Sequence, residues 1–92
     1  MPRYFIEVSH QSAAAECARA AEIFLRTGSH FLTRADWGCM DGEHKAWMIV
    51  DVDSKEVARN IVPPAYRADA RIVQLNSFSI EQVAELQRRH GP

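Results

Sequence analysis

The stretch Lys45-Ala46-Trp47-Met48-Ile49-Val50-Asp51-Val52-Asp53-Ser54-Lys55-Glu56-Val57-Ala58-Arg59-Asn60-Ile61-Val62-Pro63-Pro64 reads as a strand running directly into a helix. Lys45 to Val52 is rich in Met, Ile and Val, side chains that suit a half-buried pleated surface. Asp53 can cap a helix while Glu56, three residues on, completes a capping box. Val57, Ala58 and Ile61 then form its buried face. The helix must stop by Val62, because Pro63 and Pro64 cannot continue it and a residue before proline is pushed towards extended geometry.

Working towards the N-terminus, Gly38-Cys39-Met40-Asp41-Gly42-Glu43-His44 is a polar turn whose glycines suit positive backbone angles. It joins Phe31–Trp37, read as a strand, to Lys45–Val52 as a hairpin. Upstream, Ala14, Cys17, Ala18, Ala21, Phe24 and Leu25 fall on one stripe of a helix from Ser12 to Thr27. Ser12 is placed to cap its start, and Gly28 to end it in a left-handed cap. Arg3–Ser9 alternates Tyr4, Ile6, Val8 against Phe5, Glu7, Ser9 and makes the first strand.

Towards the C-terminus, Ala70–Asn76 is a fourth strand. Ser79 and Gln82 form another capping box, and Phe78 with Val83 match a hydrophobic staple. The helix that follows is expected to carry Ile80, Val83 and Ala84 inward, with Glu85 paired to Arg89. The order is βαββαβ plus a C-terminal helix, all of residues 1–92 forming a single domain. Right-handed crossovers and one hairpin then predict an α+β, ferredoxin-like fold with an antiparallel 4-1-3-2 sheet and both crossover helices on one face. Ile6, Val8, Met48, Val50, Val73 and Leu75 are the predicted core. The other face is left with Phe5, Glu7, Trp47, Ile49, Asp51, Gln74 and Arg34, too apolar to stand in water alone.

Composition narrows the function classes. The chain has 92 residues, 47% of them apolar and 25% charged, which is ordinary for a globular domain. A net charge of −1, with basic residues scattered, argues against nucleic acid as a partner. No apolar run reaches membrane-span length, which argues against a membrane partner. Met1 leads straight into the first strand without a signal-like segment, so a cytoplasmic location is the expectation. Two cysteines, Cys17 and Cys39, are too few for a disulfide framework, and free thiols are expected.

The element order and the half-polar open face resemble the dimeric α/β-barrel superfamily, in which two ferredoxin-like protomers pack their sheets together. Within it, Trp37 to Trp47 (WGCMDGEHKAW) is similar to short bacterial proteins of unknown function. The resemblance implies a homodimer and a small-molecule ligand, with muconolactone isomerases and cofactor-free monooxygenases among the superfamily's members. It carries no catalytic residue onto this chain, and neither it nor the residues name a cofactor.

Two groups of side chains are candidates for chemistry. On the open face, Phe5, Trp47 and Ile49 would wall a pocket in which Glu7, Gln74 and Asn76 orient a small organic ligand. Burial there would raise the pKa of Glu7 and make it a general base. In the hairpin, Cys39 and His44 are ligand types for zinc, nickel or copper, with Asp41, His90 or a second chain completing the shell. The same Cys39–His44 pair would alternatively make a reactive thiolate. His10 and His30, at a strand end and a strand start, are expected at the far end of the sheet from the hairpin. Cys17 is expected to be packing only, and Tyr66, Arg67 and Arg71 offer a weaker site for an anion. The leading function is thus a homodimeric small-molecule-binding protein, with a cofactor-independent isomerase or monooxygenase as its enzymatic form. The alternative is a metal-binding or metal-sensing protein built on the Cys39/His44 hairpin.

Overall fold

Alternation along two neighbouring strands sets the layer structure. In the computed structural model, which describes residues 1–27 and 29–91, β1 (Arg3–Ser9) buries Tyr4, Ile6 and Val8. It pairs antiparallel with β3 (Lys45–Asp51), which buries Ala46, Met48 and Val50 on the same face. β4 (Ala70–Leu75) pairs with the other side of β1, and β2 (Asp36–Trp37) closes the opposite edge against β3. The result is an α+β domain with an open, antiparallel four-stranded sheet in the order β2-β3-β1-β4.

One face of this sheet is covered. Helices α1 (Ala14–Arg26), α2 (His30–Thr33) and α3 (Lys55–Ile61) deliver Phe24, Leu32 and Ala58 onto it, and Val62 follows α3 into the same core. Trp37 and Tyr66 stack edge-on against Phe24, at 5.0 and 6.0 Å between ring centroids. α1 lies on the sheet by Ala20 and Phe24, while Leu25, expected on the same stripe, is exposed. The glycine cap expected at Gly28 lies outside the described residues.

The predicted second strand begins as a helix, α2 reaching to Thr33. Phe31 and Leu32 both pack into the core, which adjacent residues of a strand cannot do because they point to opposite faces. One helical turn resolves the conflict, and only Asp36–Trp37 remains to pair. At α3 the cap is Ser54 rather than Asp53: its Oγ accepts from Val57 N at 3.1 Å, and Val57 is left exposed. After the prolines a short α4 (Pro64–Arg67) forms with Pro64 in its first turn. The Arg67 guanidinium donates to the carbonyls of Val62 and Asn60 at the end of α3, so it is committed to capping and not to an anion.

β4 sits one residue out of the predicted register. Ile6 faces Ile72, and Phe5 faces Val73, so Ile72 enters the core while Val73 and Leu75 turn to the open face. Gln74 pairs with Tyr4 and therefore projects on the helix-covered side, exposed near the strand's end. The sequence Ile72-Val73-Gln74-Leu75 is apolar at both parities, and pairing with β1 decides between them.

α5 (Ile80–His90) begins with the predicted capping box. Gln82 N donates to Ser79 Oγ at 3.1 Å, and Ser79 N donates to Gln82 Oε1 at 2.7 Å. Its residues turn inward less than expected: Val83 and Ala84 are half-buried, none is fully buried, and Ile80 is 76% exposed. The covered face is already filled by α1 to α4, leaving α5 to extend from the body. The radius of gyration, 16.5 Å with extents of 52 × 28 × 20 Å, exceeds the value of about 13 Å typical of a compact chain of 100 residues.

Removing residues 79–92 should therefore shift the melting temperature by no more than about 3 °C, because little buried surface is lost. Phe24→Ala should cost about 3–5 kcal/mol in urea unfolding, since Phe24 joins α1 to Trp37 and Tyr66. A large loss on truncation would show that α5 stabilises the body.

Candidate metal and thiol centre

The antiparallel β1–β3 ladder does not stop at its last pair, Ser9↔Lys45. His10 N donates to His44 O at 3.1 Å, which sets the two histidines side by side at one end of the sheet. The turn between β2 and β3 is a short 3₁₀ segment, Cys39–Asp41. Its hydrogen bonds run from Asp41 N and Glu43 N to Gly38 O, and from Gly42 N to Cys39 O. Gly42 holds φ at +82°, a left-handed geometry that side chains resist. Gly38 is needed for space: a Cβ there would meet the Trp47 ring at 2.6 Å. These two glycines fold the turn back over the end of β1.

That fold brings Cys39 Sγ to 3.1 Å from His10 Nε2. His10 Nδ1 lies 2.8 Å from Gln11 O, and a carbonyl only accepts, so Nδ1 carries a proton and Nε2 is the nitrogen left to ligate when the ring is neutral. This is the way metal-ligating histidines are oriented by backbone carbonyls. The rings of His10 and His44 meet edge-on, with centroids 5.6 Å apart. Nδ1 of His44 is buried and has no hydrogen-bond partner. One ligand atom each from His10, Cys39 and His44 lies within 4.8 Å of the others, the one such group of three among the described residues.

The structure thus joins Cys39 and His44 as expected and adds His10. Because β1 and β3 are antiparallel, the end of β1 meets the start of β3, where the hairpin lies; His10 is at the hairpin end, not with His30 on α2. Neither Asp41 nor His90 belongs to the group. The cysteines also depart from expectation. Cys17 of α1 and Cys39 are joined by a disulfide, with Cα atoms 6.7 Å apart, so neither is free. In this state Cys39 is not a nucleophilic thiolate. Beside the disulfide runs a groove of about 380 Å³ lined by Ala14, Cys17, Ala18, Ala21, Met40 and His44.

The open face has a different character. Phe5, Trp47, Ile49, Val73 and Leu75 share it, with Ile49 62% exposed. Asn76 lies just beyond β4, and with Gln74 it borders a shallow groove of about 590 Å³ that also touches Arg3, Ile49, Asp51 and Leu75. At the centre, Trp47 Nε1 donates to Glu7 Oε1 at 3.1 Å, Lys45 Nζ lies at 3.7 Å and Arg71 Nε at 3.4 Å. Arg71 is therefore paired with Glu7 and not available for the anion site considered with Tyr66. The Trp47 hydrogen bond outweighs the raising effect of burial, and Lys45 and Arg71 add to it, so the Glu7 pKa is lowered instead of raised. Glu7 is a poorer base than its position in the sequence implied.

Among the described residues, no helix is long and apolar enough to cross a membrane. No family model, curated protein or solved structure matches the chain.

The lowered Glu7 pKa fixes a sign. Its contribution to stability is complete above the ordinary glutamate pKa of about 4.3 and is lost as pH falls through its lower folded value. Glu7→Gln should then destabilise by about 1 kcal/mol at pH 7 and by progressively less below pH 4. Urea titrations of both proteins across this range check it; a difference that does not change with pH would remove the ionised carboxylate from the account.

Proposed function

We propose that this protein, in its reduced form, is a metal-binding or metal-sensing protein for a borderline or soft divalent cation such as zinc, nickel or copper. One observation carries the reading: one ligand atom each from His10, Cys39 and His44 lies within 4.8 Å of the others, with His10 Nε2 3.1 Å from the sulfur and the ring held by the Gln11 carbonyl. Imidazole and thiolate together suit these metals and not magnesium or calcium, which take oxygen ligands. The unpartnered His44 Nδ1 gives the site a polar atom that lacks any protein partner. Reduction is required because a disulfide sulfur is not a thiolate ligand.

The open face supports a second part of the proposal, that two copies pack through their sheets in a ferredoxin-like dimer. Phe5, Trp47, Ile49, Val73 and Leu75 together form an apolar patch of the kind that marks an interaction surface. A small-molecule site with isomerase or monooxygenase chemistry would use this same face. The low basicity of Glu7 gives that reading less support than the metal centre receives.

In the reduced protein, zinc at 100 times its dissociation constant should add about 2.7 kcal/mol of stability, read as a rise in melting temperature on the order of 10 °C. His10→Ala, Cys39→Ser and His44→Ala should each remove that rise. A shift that persists in all three variants would take the metal away from this site. For assembly, light scattering should give twice the monomer mass, and Trp47→Glu should return it to the monomer value with the fold retained by circular dichroism.

A further inference from the structure

Building on that metal reading, we infer that Cys17 is the fourth ligand of the centre. The reduced chain then holds its cation in a Cys₂His₂ shell of His10, Cys17, Cys39 and His44, and the Cys17–Cys39 disulfide is the oxidised, metal-free state of the same site. Three ligands from one chain leave a transition-metal site open, whereas a closed structural zinc site takes four. Among the described residues, the sulfur nearest to Cys39 is the one it is bonded to.

Two thiolates on one tetrahedral zinc, each at about 2.3 Å from the metal, lie about 3.8 Å apart, against about 2.05 Å in a disulfide. The sulfurs must separate by roughly 2 Å, and Cys17 Sγ, which stands outside the group of His10, Cys39 and His44 in the oxidised state, must turn towards the two imidazoles by rotation about its Cα–Cβ bond. Cys17 lies on the same side of the hairpin as His44, since both line the groove beside the disulfide. Ala14, Ala18 and Ala21 on that wall are too small to block a metal and too apolar to compete for it. The four ligands come from three separate parts of the fold: the end of β1, helix α1 and the β2–β3 turn.

The chemistry balances with a disulfide-class oxidant. The Cys39 thiolate attacks one sulfur of the oxidant and expels one thiolate. The Cys17 thiolate then attacks Cys39 Sγ and expels the second. Two electrons pass from the two cysteines to the oxidant, the protein disulfide forms, and the divalent cation leaves a shell reduced to two imidazoles. In reverse, a dithiol reductant supplies two electrons and two protons and closes to its own disulfide. The cysteine thiols then give up their protons as the metal binds. The centre is thereby a switch in which oxidation releases metal and metal holds the thiols reduced.

The test uses the full chain, reduced under argon and loaded with cobalt(II) as a spectroscopic stand-in for zinc. Wild type should take up one equivalent, with absorption in the visible region of tetrahedral cobalt and sulfur-to-cobalt charge transfer in the near ultraviolet. Cys17→Ser should lose about half of the charge-transfer intensity, one of two thiolates. Zinc-loaded wild type needs no variant: both Cys17 and Cys39 should be protected from alkylation, read peptide by peptide. Adding glutathione disulfide should release one zinc per disulfide formed. Full charge-transfer intensity in Cys17→Ser, or Cys17 alkylated at its metal-free rate while Cys39 is protected, would overturn the four-ligand site and leave the three-ligand reading standing. Reduced wild type that takes up no cobalt would overturn both.

Discussion

The antiparallel pairing of β1 with β3, from Arg3↔Asp51 to Ser9↔Lys45, governs both the core and the site. It makes β1 an interior strand, with β4 on its other edge, and sets Tyr4, Ile6 and Val8 beside Ala46, Met48 and Val50 beneath the helices. Period-two geometry then commits Phe5, Glu7, Trp47 and Ile49 to the other face, because a one-residue slip would exchange every side chain. The same ladder, extended by one hydrogen bond from His10 to His44, brings together two candidate ligands that are 34 positions apart in the chain. Core, open face and candidate metal centre are three products of one register.

Much of this was legible from residues whose two faces differ sharply. β1 sets Tyr4, Ile6 and Val8 against Glu7 and Ser9, and the capping box at Ser79 and Gln82 left one place for α5 to begin. Where both parities are apolar, as in Ile72-Val73, local pattern has no preference, and only the partner strand assigns the faces. Phe31 carries a β-type side chain, but both it and Leu32 are wanted by the core, so tertiary packing overrode propensity. His10 is a different case. An antiparallel strand order already implies that residues after the first strand meet those before the third, and that implication would have placed it beside His44. The Cys17–Cys39 contact had no such signal, since two cysteines without neighbouring motifs say nothing about the distance between a helix and a turn.

The open face and the candidate metal centre meet at one side chain. Trp47 lies on the open face, where its indole nitrogen donates to Glu7, and its ring edge presses on Gly38, the residue before Cys39. Glu7 in turn holds Lys45 and Arg71, so the charged centre of the open face is continuous with the turn that carries the sulfur. Trp47 thus touches both the charged centre of the open face and the backbone next to Cys39. No additional element is needed to connect the faces, because the sheet is a single layer thick at that point.

The disulfide also has a consequence for the chain as a polymer. Its ends are 22 positions apart, and the segment between them contains most of α1, all of α2 and β2, and the core residues Phe24 and Leu32. Cross-linking a segment of that length lowers the entropy of the unfolded ensemble by an amount worth about 3 kcal/mol at 25 °C in the chain-entropy description. A metal ion gripping both sulfurs would close the same ring, with coordination bonds in place of a covalent one. The oxidised chain is a loop with two tails, and the metal-loaded chain would share that loop and add shorter ones through His10 and His44. The reduced, metal-free chain is the linear one, and its unfolded state alone regains the full freedom of residues 17–39.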